Sequence, residues 1–258
     1  MTGDSDKSLF NQYSDQFLRG MSKRMRDSCS SSELKEFFQE RFAFFREAIR
    51  RNGMVRVRKY KIPRVLLTTK NQSSSVVVEI VSPDAPFIVV TVEALMRELD
   101  LKIITKLHPI IGVKLTEGRE LEKVFLPQQK LEKYDHLYLE VETEAENETL
   151  KHFETKIAGH MLAIQLVRNH HQNMLRTLES MIEMIQTITV VSSPTKNEWS
   201  KLCGWLQHDN YSVMGYIKFS LKDSDSSELI NKIDDTGVGI ISPVYLEKTS
   251  SNLLNVLR

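Results

Sequence analysis

The stretch from Val76 to Pro109, VVVEIVSPDAPFIVVTVEALMRELDLKIITKLHP, constrains the fold more than any other part of the chain. Val76, Val77, Val78, Ile80 and Val81 form a β-branched run interrupted only by Glu79, a pattern that suits a strand covered on most of both faces. Ser82-Pro83-Asp84-Ala85-Pro86 breaks the run. Its prolines lack donors and Asp84 can accept from amides ahead of it, so the chain turns and a helix can start at Phe87. Ile88, Val92, Leu95 and Leu99 then recur at helical spacing, with Arg97, Glu98 and Asp100 facing water. Ile103–Leu107 and Ile110–Leu115 read as strand segments, with Pro109 marking an edge, bend or bulge between them. In Tyr134–Thr143, Leu137, Leu139 and Val141 share one face, opposite Tyr138, Glu140 and Glu142.

A strand, a helix, two antiparallel strands and a second helix from Glu148 is the βαββα order of a ferredoxin-like split βαβ unit. A final strand should close it, and Met161–Arg168 is the candidate. Gly159 is the single break in a helix-compatible tract from Glu148 to about Ile188, so one long bent helix or two helices remain open for the same residues. An α+β fold is therefore expected: a ferredoxin-like, ACT-like βαββαβ unit preceded by an amphipathic helix and followed by a helical segment and a partial second α+β unit. The expected boundaries are a tail at 1–32, the helix and a basic strand segment at 33–70, the ACT-like domain at 71–168, a connecting helix at 169–191 and the second unit at 192–258.

Glu33–Asn52 reads as the amphipathic helix, with Ser32 as N-cap and Leu34, Phe37, Phe38, Phe42, Phe45, Ala48 and Ile49 as its apolar stripe. Core packing explains a Phe stripe at this spacing better than a partner groove does; Phe44, off the stripe, is the residue expected to contact another chain. The segment that follows is basic. Arg46, Arg50, Arg51, Arg56, Arg58, Lys59, Lys61 and Arg64 lie close together with one acid, Glu47, so Arg56, Arg58 and Lys59 are a candidate contact face. The whole chain is nearly neutral at +1 and no RNP-type aromatic motif interrupts the candidate strands, so a solvated face or an acidic protein patch is favoured over nucleic acid.

VVEIVSPDAPFIVVTVEALMRELDLKI, HLYLEVET, WLQHDNYSVMGYIKFSL and GVGI, in that order from about Arg64 to Pro243, closely resemble the N-terminal region of the large bacterial NAD-dependent glutamate dehydrogenases. The resemblance implies an ACT-like regulatory region in front of a catalytic domain that oxidises glutamate to 2-oxoglutarate and ammonia. The usual ACT signature places Gly after the Asp-x-Pro turn, where a bare backbone lets an amino acid approach the helix N-terminus; this chain has Phe87. That argues against generic amino-acid capture at the Asp84, Pro86, Phe87 turn and favours the dehydrogenase assignment, where the resemblance implies Phe. The family's enzymes are far longer than 258 residues.

Catalytic machinery is not expected here. No G-x-G-x-x-G exists; Gly237-Val238-Gly239 follows Asp234-Asp235 rather than a strand, and a tight turn explains it better than a dinucleotide site. NAD is expected only through a separate catalytic domain, and no cofactor in this chain. His170 and His171 point to different sides of a helix or strand, without a third ligand at metal-binding spacing. With 41% hydrophobic and 27% charged residues the chain can bury a sizeable core, its apolar runs are strand-sized, and Cys29 and Cys203 fit unpaired thiols in a reducing cytoplasm.

Val190–Thr195 has the composition of a linker. Glu198–Gln207 looks helical with Trp199, Leu202, Trp205 and Leu206 on its buried side, and Tyr211–Leu221 alternates like a half-buried strand. Asp209-Asn210 should turn between them, making His208, Asp209, Asn210 and Tyr211 a candidate interdomain surface. Expected partners are the remainder of a glutamate dehydrogenase or a second copy, with a small-molecule effector; the rival reading is a free-standing ACT-like module that binds a small molecule or a protein.

Overall fold

The structure, a computed structural model, describes residues 3–60, 75–128, 130–143, 146–210, 212–221, 230–232 and 237–248. It divides into two compact units, Met1–Met161 and Leu162–Arg258. The first contains α1 (Gly3–Gly20), α2 (Lys23–Asp27), α3 (Ser31–Arg50), β1 (Met54–Tyr60), β2 (Ser75–Pro83), α4 (Ile88–Glu98), β3 (Lys102–Leu107), β4 (Ile110–Leu115), β5 (Leu121–Phe125) and β6 (Glu132–Glu142). Helix α5 (Asn147–Thr187) begins in this unit and continues into the second.

One antiparallel sheet runs β1-β2-β6-β4-β5, with β3 also paired to β6. β3 and β4 lie end to end along β6: Leu107 sits opposite Tyr138 and Ile110 opposite Asp135. His108-Pro109 is the offset between them. Proline cannot donate to the ladder, but the Pro109 carbonyl accepts from the His136 amide at 3.0 Å, so the pairing continues through the bend as its residues forecast.

In a βαββαβ unit the last strand returns beside the first. Here that place beside β2 is filled by β1, whose Arg56 is paired with Glu79, and so the closing strand comes from before the unit instead of after it. Met161–Arg168, expected as the final strand, is helical and lies within α5. Two facts account for this. The open edge of β2 is already occupied, and the lone Gly159 is a mild interruption in a tract otherwise rich in helix formers. On the outer edge of β1 the Val57 amide is satisfied by α5, where Glu154 Oε2 accepts from it at 2.8 Å.

Strand alternation sends Val77, Glu79 and Val81 of β2 to one face and Val76, Val78 and Ile80 to the other, and all are buried. On the first face α1 and α3 contribute Tyr13, Phe17, Phe37, Phe38, Phe42 and Phe45 to an aromatic core. On the second, α4 buries Ile88, Val92, Leu95 and Met96, and Lys156 of α5 reaches Glu98 of α4 at 2.7 Å. The expected N-terminal tail is thus largely helical: Tyr13 and Phe17 of α1 are fully buried. Helix α3 starts two residues earlier than expected, because Ser30 rather than Ser32 is the N-cap, closing a capping box with Glu33. Phe44, expected to face another chain, is 2% exposed and lies under the Arg56 guanidinium, 4.2 Å from its ring centroid.

The second unit holds the rest of α5, then α6 (Ser193–Trp205), a π-helical turn at Leu206–Asn210, β7 (Gly215–Tyr216), β8 (Phe219–Leu221), β9 (Ile230–Lys232), β10 (Val238–Gly239) and α7 (Pro243–Lys248). Ser192 caps α6 and Pro194 sits in its first turn, where a missing amide hydrogen has no intrahelical role. The long strand expected over Tyr211–Leu221 is two short ones: β7 pairs with β10 and β8 with β9. Gly237-Val238-Gly239 serves this close pairing. Gly239 has φ +65°, and a Cβ there would stand 2.0 Å from the Met214 carbonyl oxygen.

Candidate functional site

The turn between β2 and α4 is where the sequence placed its first candidate, Asp84, Pro86 and Phe87. Phe87 is the N-cap of α4 and holds φ +73°, ψ −2°, in the left-handed region. For a residue with a Cβ that conformation costs about 1–2 kcal/mol. Glycine reaches it without strain, so Phe87 does the backbone work of the glycine in the generic signature while projecting a ring that is 58% exposed. Val90, one turn along α4, is 61% exposed. The Phe87 side chain makes no capping hydrogen bond to the first turn of α4.

Asp135 of β6 supplies a buried carboxylate to this turn. Asp135 is 2% exposed; its Oδ2 accepts from the Ala85 amide at 3.3 Å and its Oδ1 lies 2.5 Å from His108 Nε2. The Asp84 amide donates to the Lys133 carbonyl at 2.8 Å. One buried acid therefore ties the β2–α4 turn to the β3–β4 offset, two segments far apart in sequence. Pro86 is exposed and makes the chain leave the sheet.

A second constellation lies inside the sheet face covered by α1 and α3. Glu79, fully buried, accepts from Arg56 Nε at 3.1 Å and stands 3.0 Å from Arg41 Nε, with His136 Nε2 at 3.6 Å. The Tyr13 hydroxyl and His136 Nδ1 are 2.9 Å apart. Burial alone would raise the Glu79 pKa, but the contact with His136 and the charges of Arg41 and Arg56 outweigh it and hold the carboxyl at about 2. Burial pushes His136 below its ordinary value and lifts Tyr13 well above its own. Tyr13, His136 and Glu79 line up like a proton relay, yet all three are closed off from solvent, so the arrangement is a buried ionic core rather than a reaction site.

The basic segment is largely neutralised by this packing. Arg56 is bound to Glu79 and Arg58 to Glu40, while Arg46, Arg50 and Arg51 pair with Asp6, Glu120 and Glu47. Lys59 is exposed on the edge strand; Lys61 and Arg64 lie outside the described residues. Arg56, Arg58 and Lys59 therefore do not form one open cationic surface. An open cleft beside it, lined by Ala43, Arg46, Glu47, Arg50 and Arg51, is a flank of α3 alone.

The third candidate sits in the second unit. His208 is exposed, with Nδ1 2.5 Å from the Gly204 carbonyl oxygen; Asp209 and Asn210 continue the π-helical turn instead of forming the expected loop, and Tyr211 lies outside the described residues. His170 receives the Gly239 amide on Nδ1 at 2.8 Å, so it braces the Gly-Val-Gly segment. Among the described residues no group of three or more His, Cys, Asp or Glu could hold a metal ion, and no helix is long and apolar enough to cross a membrane.

The profile of one protein family, described as glutamate dehydrogenase, ACT1 domain, matches residues 13–157. The chain belongs to this family. The ACT1 match begins within α1 and ends within α5, and so takes in the second half of α1, all of α3 and β1, the strand that closes the sheet. No curated protein and no solved structure matches the chain.

Sequence reasoning missed Asp135, His108 and the partners of Glu79. Glu79 was visible as the single charge in a valine run and Arg41 as a cation inside a Phe stripe, both signals of a buried ion pair. Asp135 and His136, next to each other near the start of an apolar strand, gave no pattern of their own.

Proposed function

We propose that this chain is a regulatory and assembly region of an NAD-dependent glutamate dehydrogenase, and that its ACT1 domain acts through a protein contact at the Phe87 turn. The supporting observation is the turn itself. A left-handed position that a glycine would fill is held by an exposed aromatic ring, with Val90 beside it and buried Asp135 fixing the backbone beneath. A strained backbone position retained with an exposed apolar side chain suits a docking knob, because the ring stands where a small ligand would otherwise approach the first amides of α4. NAD and glutamate chemistry belong to a catalytic domain reached through that contact, and no residue described above is assigned to it.

The test is glutamate-dependent NAD reduction by the purified chain, alone and with any polypeptide encoded immediately downstream. Activity with the partner, reduced by Phe87→Asp, supports the reading. Activity of the chain alone overturns it. The second reading, a small-molecule sensor at the same turn, is favoured by the N-cap residue of α4, Phe87, making no side-chain cap of its own. It predicts a rise in melting temperature with a free amino acid that Phe87→Asp abolishes; the docking reading predicts no such rise.

A further inference from the structure

The amides that lead into Phe87 are held in two different ways. The Asp84 amide donates to the Lys133 carbonyl at 2.8 Å, a main-chain contact that no side-chain change removes. The Ala85 amide donates to Asp135 Oδ2 at 3.3 Å. Pro86 has no amide hydrogen, so the Ala85 amide is the last one ahead of Phe87, and its acceptor is a side chain. A left-handed residue with a Cβ persists only where its surroundings over-determine it. Whatever holds the Asp135 carboxylate therefore bears on the Phe87 backbone at φ +73°.

His108 holds that carboxylate. Asp135 is almost wholly buried, and a buried carboxylate stays in place only with a strong donor beside it. His108 Nε2 stands 2.5 Å from Asp135 Oδ1, far closer than the Ala85 nitrogen stands to Oδ2, so the imidazole is the principal partner. The ring is placed by the β3–β4 offset on either side of it. Leu107 is paired with Tyr138, and the Pro109 carbonyl accepts from the His136 amide at 3.0 Å. The His108 side chain is 26% exposed, so the chain of contacts from imidazole to carboxylate to Ala85 amide starts at the surface.

We infer that His108 is a positioning residue for the Phe87 turn, acting on it through Asp135. Without the imidazole the carboxylate loses its shorter contact and turns toward water. The Ala85 amide then gives up its acceptor, and Phe87 relaxes from the left-handed region, moving its ring off the start of α4. The consequence for partner-dependent activity rests on the docking reading of Phe87; the backbone effect does not.

Amide hydrogen exchange at Asp84 and Ala85, followed by nuclear magnetic resonance in the full chain, tests the backbone effect. In His108→Leu the Ala85 amide should exchange about tenfold faster, with the Asp84 amide unchanged. His108→Gln, whose carboxamide can donate to Asp135, should restore most of the protection. If His108→Leu does not fold, His108→Asn, polar but too short to reach the carboxylate, should show the same loss. Unchanged exchange at Ala85 overturns the proposal. An equal rise at both amides also overturns it, because His108 would then support the fold as a whole, and so does a failure of His108→Gln to rescue. Glutamate-dependent NAD reduction with the downstream polypeptide separates the two readings. Both Phe87→Asp and His108→Leu should lower it, with His108→Gln near the unsubstituted chain. A drop in Phe87→Asp alone overturns the part of His108 in docking, whereas no drop in Phe87→Asp overturns the docking reading and leaves the exchange result to decide the positioning role.

Discussion

In Met1–Met161 the central strands β2 and β6 are covered on both faces and even Glu79 and Glu140 among their charged residues are buried; in Leu162–Arg258 helix α6 has residues that are at most half-buried. The first region has enough long-range strand pairing and aromatic volume to enclose a carboxylate together with its arginines. The second has strands of two or three residues, two of them joined through glycines whose added Cβ atoms would collide with backbone. The lesson is that amphipathic sequence alone does not decide burial. It specifies that a face should be covered, and what covers it depends on how much structure lies opposite.

The comparison breaks most sharply on equal truncations in the two regions. Phe45→Ala removes a fully buried ring between Tyr13, Tyr134 and His136 and should destabilise by about 3–5 kcal/mol. Leu202→Ala, in dilute protein, should stay within about 0.5 kcal/mol. Urea unfolding of both variants checks the contrast, and a Leu202→Ala loss above about 2 kcal/mol would mean that the stripe packs within one chain.

The buried charges add a pH signature to the first region. Glu79 is held at about 2 against an ordinary 4.5, so its contribution is complete above pH 4.5 and is lost as pH falls toward 2; the full span corresponds to about 3 kcal/mol. His136 works in the same direction, because its lowered pKa makes the unfolded chain bind protons more readily once pH drops below 6.5. Stability should therefore begin to decline gently below pH 6.5 and steeply below 4.5. Glu79→Gln should lose about 3 kcal/mol at pH 7 and flatten the steep limb. An unchanged acid limb in that variant would move its origin to the surface carboxylates.

Much of this frame was legible beforehand. The β2–α4–β3 succession, the bend at Pro109 and the stripe of α3 follow from periodicity and turn chemistry, which act locally. The closing strand was not legible, because β1 and Met161–Arg168 competed for one sheet edge and nothing local decides between a strand before the unit and one after it. The turn was legible in its residues but not in its support: Asp135 reaches Ala85 only after β6 has paired with β2. Trp199, Leu202 and Trp205 were read as buried from their spacing, but they are about half exposed.

The smallest expected effect bears most directly on function. Phe87→Gly removes left-handed strain of about 1–2 kcal/mol from the folded chain but adds about 1 kcal/mol of backbone freedom to the unfolded one. The ring is mostly exposed and contributes little packing, so the balance should fall between neutral and about 1 kcal/mol stabilising. A residue that can be removed without loss of stability, and whose removal nevertheless weakens partner-dependent glutamate oxidation, is held there by the contact it makes outside this chain. Loss of more than about 1 kcal/mol in Phe87→Gly would show instead that the ring packs against its own domain, and the β2–α4 turn would become as inward-looking as the sheet it caps.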